Sequence, residues 1–139
     1  MKESELVLLA QVVLPQEVLS YFDIVKIESS ETEILIHLDE RIPDKLKDKD
    51  SIDSKGFLPP VHITDFPIRD HKVILVIRRR RWLDSRTGKS FSFPLTIAAQ
   101  GTRYSKEFAA FLKDAYGYLR DNLPYTWAFL SHQWLYLWK

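Results

Sequence analysis

Four consecutive arginines, Arg78 to Arg81, follow directly on the most apolar run of the chain, Val73-Ile74-Leu75-Val76-Ile77, and are closed by Trp82. Each guanidinium carries its donors in a rigid planar fork that fits a phosphate or the major-groove edge of guanine, a geometry lysine lacks. Arg69, Lys72, Arg86, Lys89 and Arg103 lie on either side of the run. Residues 61–106 hold 10 Lys+Arg against 3 Asp+Glu, a net +7, whereas residues 1–60 hold 7 against 13. The overall charge of +1 conceals this split. A strongly basic stretch is the electrostatic footprint of a polyanion partner, so the nine cations are the candidate DNA-binding residues and double-stranded DNA the expected partner.

The other chemistry-bearing residues form no comparable pattern. His37, His62, His71 and His132 share no ligand spacing, and the chain has no cysteine, which excludes disulfides and thiolate zinc sites. Asp39, Glu40, Asp44, Asp48, Asp50 and Asp53 are numerous, but Lys45, Lys47 and Lys49 alternate with the later ones. A solvated charged loop accounts for them better than the paired carboxylates of a two-metal nuclease. No phosphate-cradling glycine loop, nucleophile elbow or His-rich helix occurs. The expectation is a protein that is not an enzyme and carries no cofactor or metal.

Elements must position the arginines. Five β-branched or leucine residues in a row predict a buried strand over 73–77, with Val73, Leu75 and Ile77 on one face and Ile74 and Val76 on the other. Arginine at four successive positions would put two guanidiniums on each face, so the strand has to leave the core there. Asp84, Ser85 and Gly88 then supply turn chemistry, and Ser90 to Phe93 alternates like a returning strand. These features predict a projecting basic hairpin over 78–93, able to enter a DNA groove.

Upstream, Leu6, Leu9, Ala10 and Val13 repeat at helical spacing, and Pro15 is placed to open a second short helix through Val18, Leu19 and Phe22. Residues 25–28 and 33–39 predict a hairpin around Ser29 to Thr32, with Ile34, Ile36 and Leu38 facing inward. Residues 40–60, charged and rich in turn formers, predict an exposed connection, and Val61, Ile63 and Phe66 a strand ending at Pro67. A helix over 105–121 should be capped by Ser105, with Phe108, Phe111, Leu112, Ala115, Tyr116 and Leu119 as its apolar stripe, and it must stop before Pro124. The fold class expected is α+β, a mostly antiparallel sheet flanked by N-terminal and C-terminal helices.

With 139 residues, 45% hydrophobic and 28% charged, the chain has the composition of a soluble globular protein. Residues 1–121 are expected to form a single DNA-binding domain. Residues 122–139 are an aromatic tail carrying Trp127, Phe129, Trp134, Tyr136 and Trp138, expected to pack on the domain or on a partner. No apolar stretch approaches the ~20 residues of a bilayer span, and Met1 to Glu5 lacks a basic leader, so a cytoplasmic protein without membrane contact is expected.

Four segments together resemble a known family. Ser54-Lys55-Gly56-Phe57-Leu58-Pro59-Pro60, Ile63-Thr64-Asp65-Phe66-Pro67-Ile68-Arg69, Arg78 to Trp82, and Gly101-Thr102-Arg103-Tyr104-Ser105-Lys106-Glu107-Phe108-Ala109-Ala110-Phe111-Leu112 resemble, in that order, the N-terminal region of bacterial insertion-sequence transposases of the ISAon type. The resemblance spans roughly residues 6 to 116. It implies a non-catalytic DNA-binding region whose catalytic transposase subunit is separately encoded. Related ISL-type transposases continue from an Arg-rich strand into a Cys-x-x-Cys-Gly-Lys knuckle. Here Asp84 and Thr87 stand at the cysteine positions of Asp84-Ser85-Arg86-Thr87-Gly88-Lys89, which leaves no zinc site. The family's helix-turn-helix continuation is also replaced by the Trp-rich end. Two other readings stay open: an interaction module docking a catalytic subunit through its Trp-rich tail, and a small nuclease using the acidic loop.

Overall fold

The computed structural model describes residues 3–47 and 49–122. Asp48 and residues 123–139 lie outside the described residues, and with them the expected packing of the aromatic tail. In chain order the elements are α1 (Glu3–Val13), α2 (Gln16–Tyr21), β1 (Phe22–Ser29), β2 (Glu33–Glu40), α3 (Asp44–Lys47), β3 (Ile52–Phe57), β4 (Val61–Ile68), β5 (His71–Arg78), β6 (Arg80–Asp84), β7 (Lys89–Phe91) and α4 (Lys106–Asn122). The class is α+β, with strands in two sheets.

The larger sheet has the order β1-β2-β5-β4. β5, the apolar run, is an inner strand, parallel to β2 and antiparallel to β4, while β1 and β2 form the antiparallel hairpin the sequence predicts. Its register sets Leu75 beside Ile36 and Ile63, and Ile77 beside Leu38 and Val61. Alternation therefore collects these side chains on one face, where Ala10, Leu14, Val18, Phe22 and Ile97 close the core. Burial of this kind, about 25 cal/mol per Å² of apolar surface, is the main term holding the sheet together.

Local signals set the ends of the helices and of the edge strand. Pro15 separates α1 from α2 and occupies the cap position of the second, its fixed φ suiting the role. The Ser105 hydroxyl accepts the Phe108 amide at 3.3 Å and donates to the buried Asp65 carboxylate at 2.7 Å, so one side chain both caps α4 and ties it to β4. Pro67 does not end β4, which continues to Ile68. A bulge between Asp65 and Ile68 on this edge strand absorbs the missing amide. The tight turn to β5 forces Arg69 to φ 57, a left-handed conformation unusual for a residue other than glycine.

The stretch expected to be an exposed connection, 40–60, stays mostly at the surface but holds two elements among its described residues. It contains α3, with Leu46 buried, and β3, which pairs with β6 to found a second sheet of order β3-β6-β7. Only two of the six residues of β3, Ile52 and Phe57, are strongly apolar, which is why alternation did not reveal it. Its pairing partner lies some thirty residues downstream, where the buried Trp82, 2% exposed, stands opposite Ser54.

Candidate nucleic-acid interface

The arginine run is the junction between the two sheets. β5 ends at Arg78, Arg79 belongs to neither strand, and β6 begins at Arg80. β6 and β7 form a hairpin with a four-residue loop, Ser85 to Gly88, but β3 pairs along the outer side of β6. The hairpin thus presents a sheet face and a loop to solvent rather than two free strands.

The four guanidiniums have different surroundings. Arg78 makes a bidentate pair with Asp39, with Nε at 2.6 Å from Oδ1 and Nη2 on Oδ2, and this carboxylate pushes the Arg78 pKa up. Arg80 Nε donates to the Glu40 carbonyl at 2.7 Å and Nη1 to Ser54 Oγ at 3.1 Å, while its amide donates to the Glu40 carboxylate at 3.3 Å. Both guanidiniums lie over the Phe57 ring, at 4.3 and 4.7 Å from its centre. The end of β2 therefore neutralises the start of the run. Burial pushes the Glu40 pKa up, opposed by the Arg80 amide, the Trp82 indole and the charges of Arg79 and Arg80.

Arg79 is half-buried and donates from Nη1 to the Phe93 carbonyl at 3.3 Å, its Nε being enclosed without a partner. Arg81 alone is exposed without a carboxylate, its one contact a 3.5 Å bond from Nη2 to the Lys55 carbonyl. Lys55 and Gly56 together face Arg81 across a bulge in β3, which Gly56 permits by adopting φ 86. Lys55, exposed beside Arg81, is a cation that sequence reasoning missed; it lies in β3, a strand without apolar alternation, where the Lys-Gly pair marks the bulge.

At the loop, the Asp84 carboxylate accepts the Arg86 amide at 3.0 Å and its carbonyl accepts the Gly88 amide at 2.8 Å, an Asx-type turn with Gly88 at φ 71. Arg86 and Lys89 are exposed there. The remaining candidates lie elsewhere. Arg69 and Lys72 sit at the opposite end of β5 from Arg78, about 20 Å away at ~3.3 Å per residue. Arg103 stands beside the β4 edge, where its carbonyl accepts the Thr64 amide. The nine cations are thus divided: Arg81, Arg86 and Lys89 on one hairpin, Arg78, Arg79 and Arg80 in the junction, and Arg69, Lys72 and Arg103 around β4 and β5.

No family model, curated protein or solved structure matches this chain. The interface therefore rests on its own geometry. Among the described residues no group of three His, Asp or Glu could hold a metal ion, and no helix is long and apolar enough to cross a membrane. Asp39 and Glu40 are engaged by the arginines, and Asp44 pairs with Lys47 at 2.9 Å. Of the histidines, His37 lies 3.5 Å from Glu28 and His71 3.0 Å from Asp70. A cleft of about 790 Å³ between α2, residues 40–47 and residues 93–97 contains none of the nine candidates.

Proposed function

We propose that this chain is the non-catalytic DNA-binding region of an insertion-sequence transposase, acting in the cytoplasm with a separately encoded catalytic subunit and contacting element-end duplex through the β6–β7 hairpin. The observation that carries the reading is the exposure of Arg81, Arg86 and Lys89 on one hairpin with Lys55 beside them, none in a salt bridge among the described residues. The hairpin offers its loop and one sheet face to a duplex, and three or four cations there would position the protein through phosphates. The ordered resemblance of residues 54–60, 63–69, 78–82 and 101–112 to transposase N-terminal regions points the same way.

Salt titration of duplex binding tests this. Three to four neutralised phosphates predict a slope of log K against log salt of about −3, from roughly −0.9 per phosphate. Arg81→Ala with Arg86→Ala should flatten the slope by about two units, whereas Arg78→Ala should leave it unchanged because that charge is already paired. Absence of binding at low salt, or a slope that ignores Arg81 and Arg86, would overturn the reading.

A further inference from the structure

Of the four arginines in the run, Arg78 alone combines a fixed plane with exposure. Its bidentate pair with Asp39 holds one edge of the guanidinium, and the Phe57 ring, its centre 4.3 Å from the guanidinium carbon, covers one face. Yet 45% of the Arg78 side chain stays open to solvent, against 15% for Asp39. With that edge and that face covered, the opposite face of the guanidinium is what remains to meet solvent. The other three lack one property or the other. Arg80 lies over the same ring but is half-buried, with its donors on Glu40 and Ser54. Arg79 is also half-buried, and Arg81 is exposed but held by one 3.5 Å bond.

We infer that the open face of Arg78 is a shelf on which one unpaired nucleobase stacks, so that the DNA preferred here carries a single-stranded stretch beside its duplex. The inference rests on the DNA-binding reading and narrows its substrate. Charge rules out phosphate as the occupant of the shelf, because Asp39 already neutralises Arg78. What the shelf offers is a flat, weakly hydrated surface, and guanidinium planes of this kind stack on bases. Its neighbours select a nucleotide over an aromatic side chain of another protein. Lys55 stands two residues from Phe57 and beside Arg81, and both cations are exposed and outside every salt bridge among the described residues. They can hold the backbone phosphates that arrive with a base, whereas a protein ring brings no phosphate. The base must be unpaired, since inside a duplex its faces are covered by its neighbours in the stack. Asp39 and Phe57 have already fixed the Arg78 rotamer, so stacking adds little ordering cost.

Fluorescence anisotropy of the full chain with three probes at one low salt concentration tests it: a blunt duplex, the same duplex with a short adenine tail, and that tail with abasic sites in place of adenine. The adenine tail should tighten binding about tenfold over the blunt duplex, the scale of one stacked base. The abasic tail carries the same phosphates and should gain less than about twofold. Arg78→Lys keeps a cation beside Asp39 but has no plane, so it should bring the adenine tail down to the level of the abasic one, with circular dichroism confirming the fold. Equal affinity for the adenine and abasic tails in the unsubstituted chain overturns the inference while leaving duplex binding in place. So does an adenine advantage that survives in folded Arg78→Lys. Failure to bind any of the three probes overturns the inference together with the DNA-binding reading.

Discussion

The two sheets are built by opposite means. In the four-stranded sheet, long apolar strands stack Ile36, Leu38, Ile63, Val73, Leu75 and Ile77 into a shared core, and burial of many side chains makes each one partly replaceable. In the three-stranded sheet the strands are short and polar, and their order depends on Trp82 with its Phe93 edge contact and on Arg80 bonded to Glu40 and Ser54. The lesson is that the same residue type serves two ends. Arginines at the junction connect the sheets, and arginines beyond it, Arg81 and Arg86, stay exposed.

The sharpest way to break this contrast is Trp82→Ala. Removing the largest fully buried side chain should cost about 3 to 5 kcal/mol and dissolve the small sheet. Urea unfolding followed by circular dichroism should then show the four-stranded sheet persisting as a separate, more stable transition. Loss of both sheets in one step would show that they fold as a single unit.

A smaller effect separates the arginines from one another. Arg80→Ala removes two side-chain hydrogen bonds, one to the Glu40 carbonyl, and exposes Phe57, which should cost about 1.5 to 3 kcal/mol. Arg81→Ala touches one long bond at the surface and should stay within about 0.5 kcal/mol of the parent. Equal losses from the two in denaturant titrations would erase the division between junction and surface.

The smallest expected effect is on pH dependence. Glu40 has a folded-state pKa raised above its unfolded value of 4.5 by burial, so the folded state holds the proton more tightly. Its contribution to stability is fully present below pH 4.5 and is lost as pH rises through the folded pKa. Glu40→Gln should therefore flatten the decline in melting temperature from pH 4.5 toward neutrality, while the slope below 4.5, set by the other carboxylates, stays as it was. Differential scanning calorimetry of the two proteins across pH 4 to 8 reads this out.

Sequence alone reaches what is local. The strand at 73–77, the hairpin of β1 and β2, the Pro15 break and the Ser105 cap all follow from neighbours within a few residues, and each stands where those neighbours place it. What it does not reach depends on distant partners. β3 pairs with β6, some thirty residues downstream, and whether an arginine is free depends on Asp39 and Glu40, forty residues earlier in the chain. Four identical letters in a row therefore conceal three environments. A bulge in the neighbouring strand β3 decides that Lys55 stands beside Arg81, and the β4–β5 turn holds Arg69 at φ 57.

The parallel alignment of β2 with β5 has a kinetic side. Every pair in that ladder joins residues 39 apart, whereas β4 and β5 meet through a two-residue turn and β1 and β2 through a short loop. The two hairpins can form in microseconds, but the long ladder must wait for the intervening chain, β3 included, to be looped out of the way. Side chains that bridge the slow step, Asp39 and Arg78 at its far end, would then be made late. Substitutions there should quicken unfolding while leaving the folding rate nearly constant.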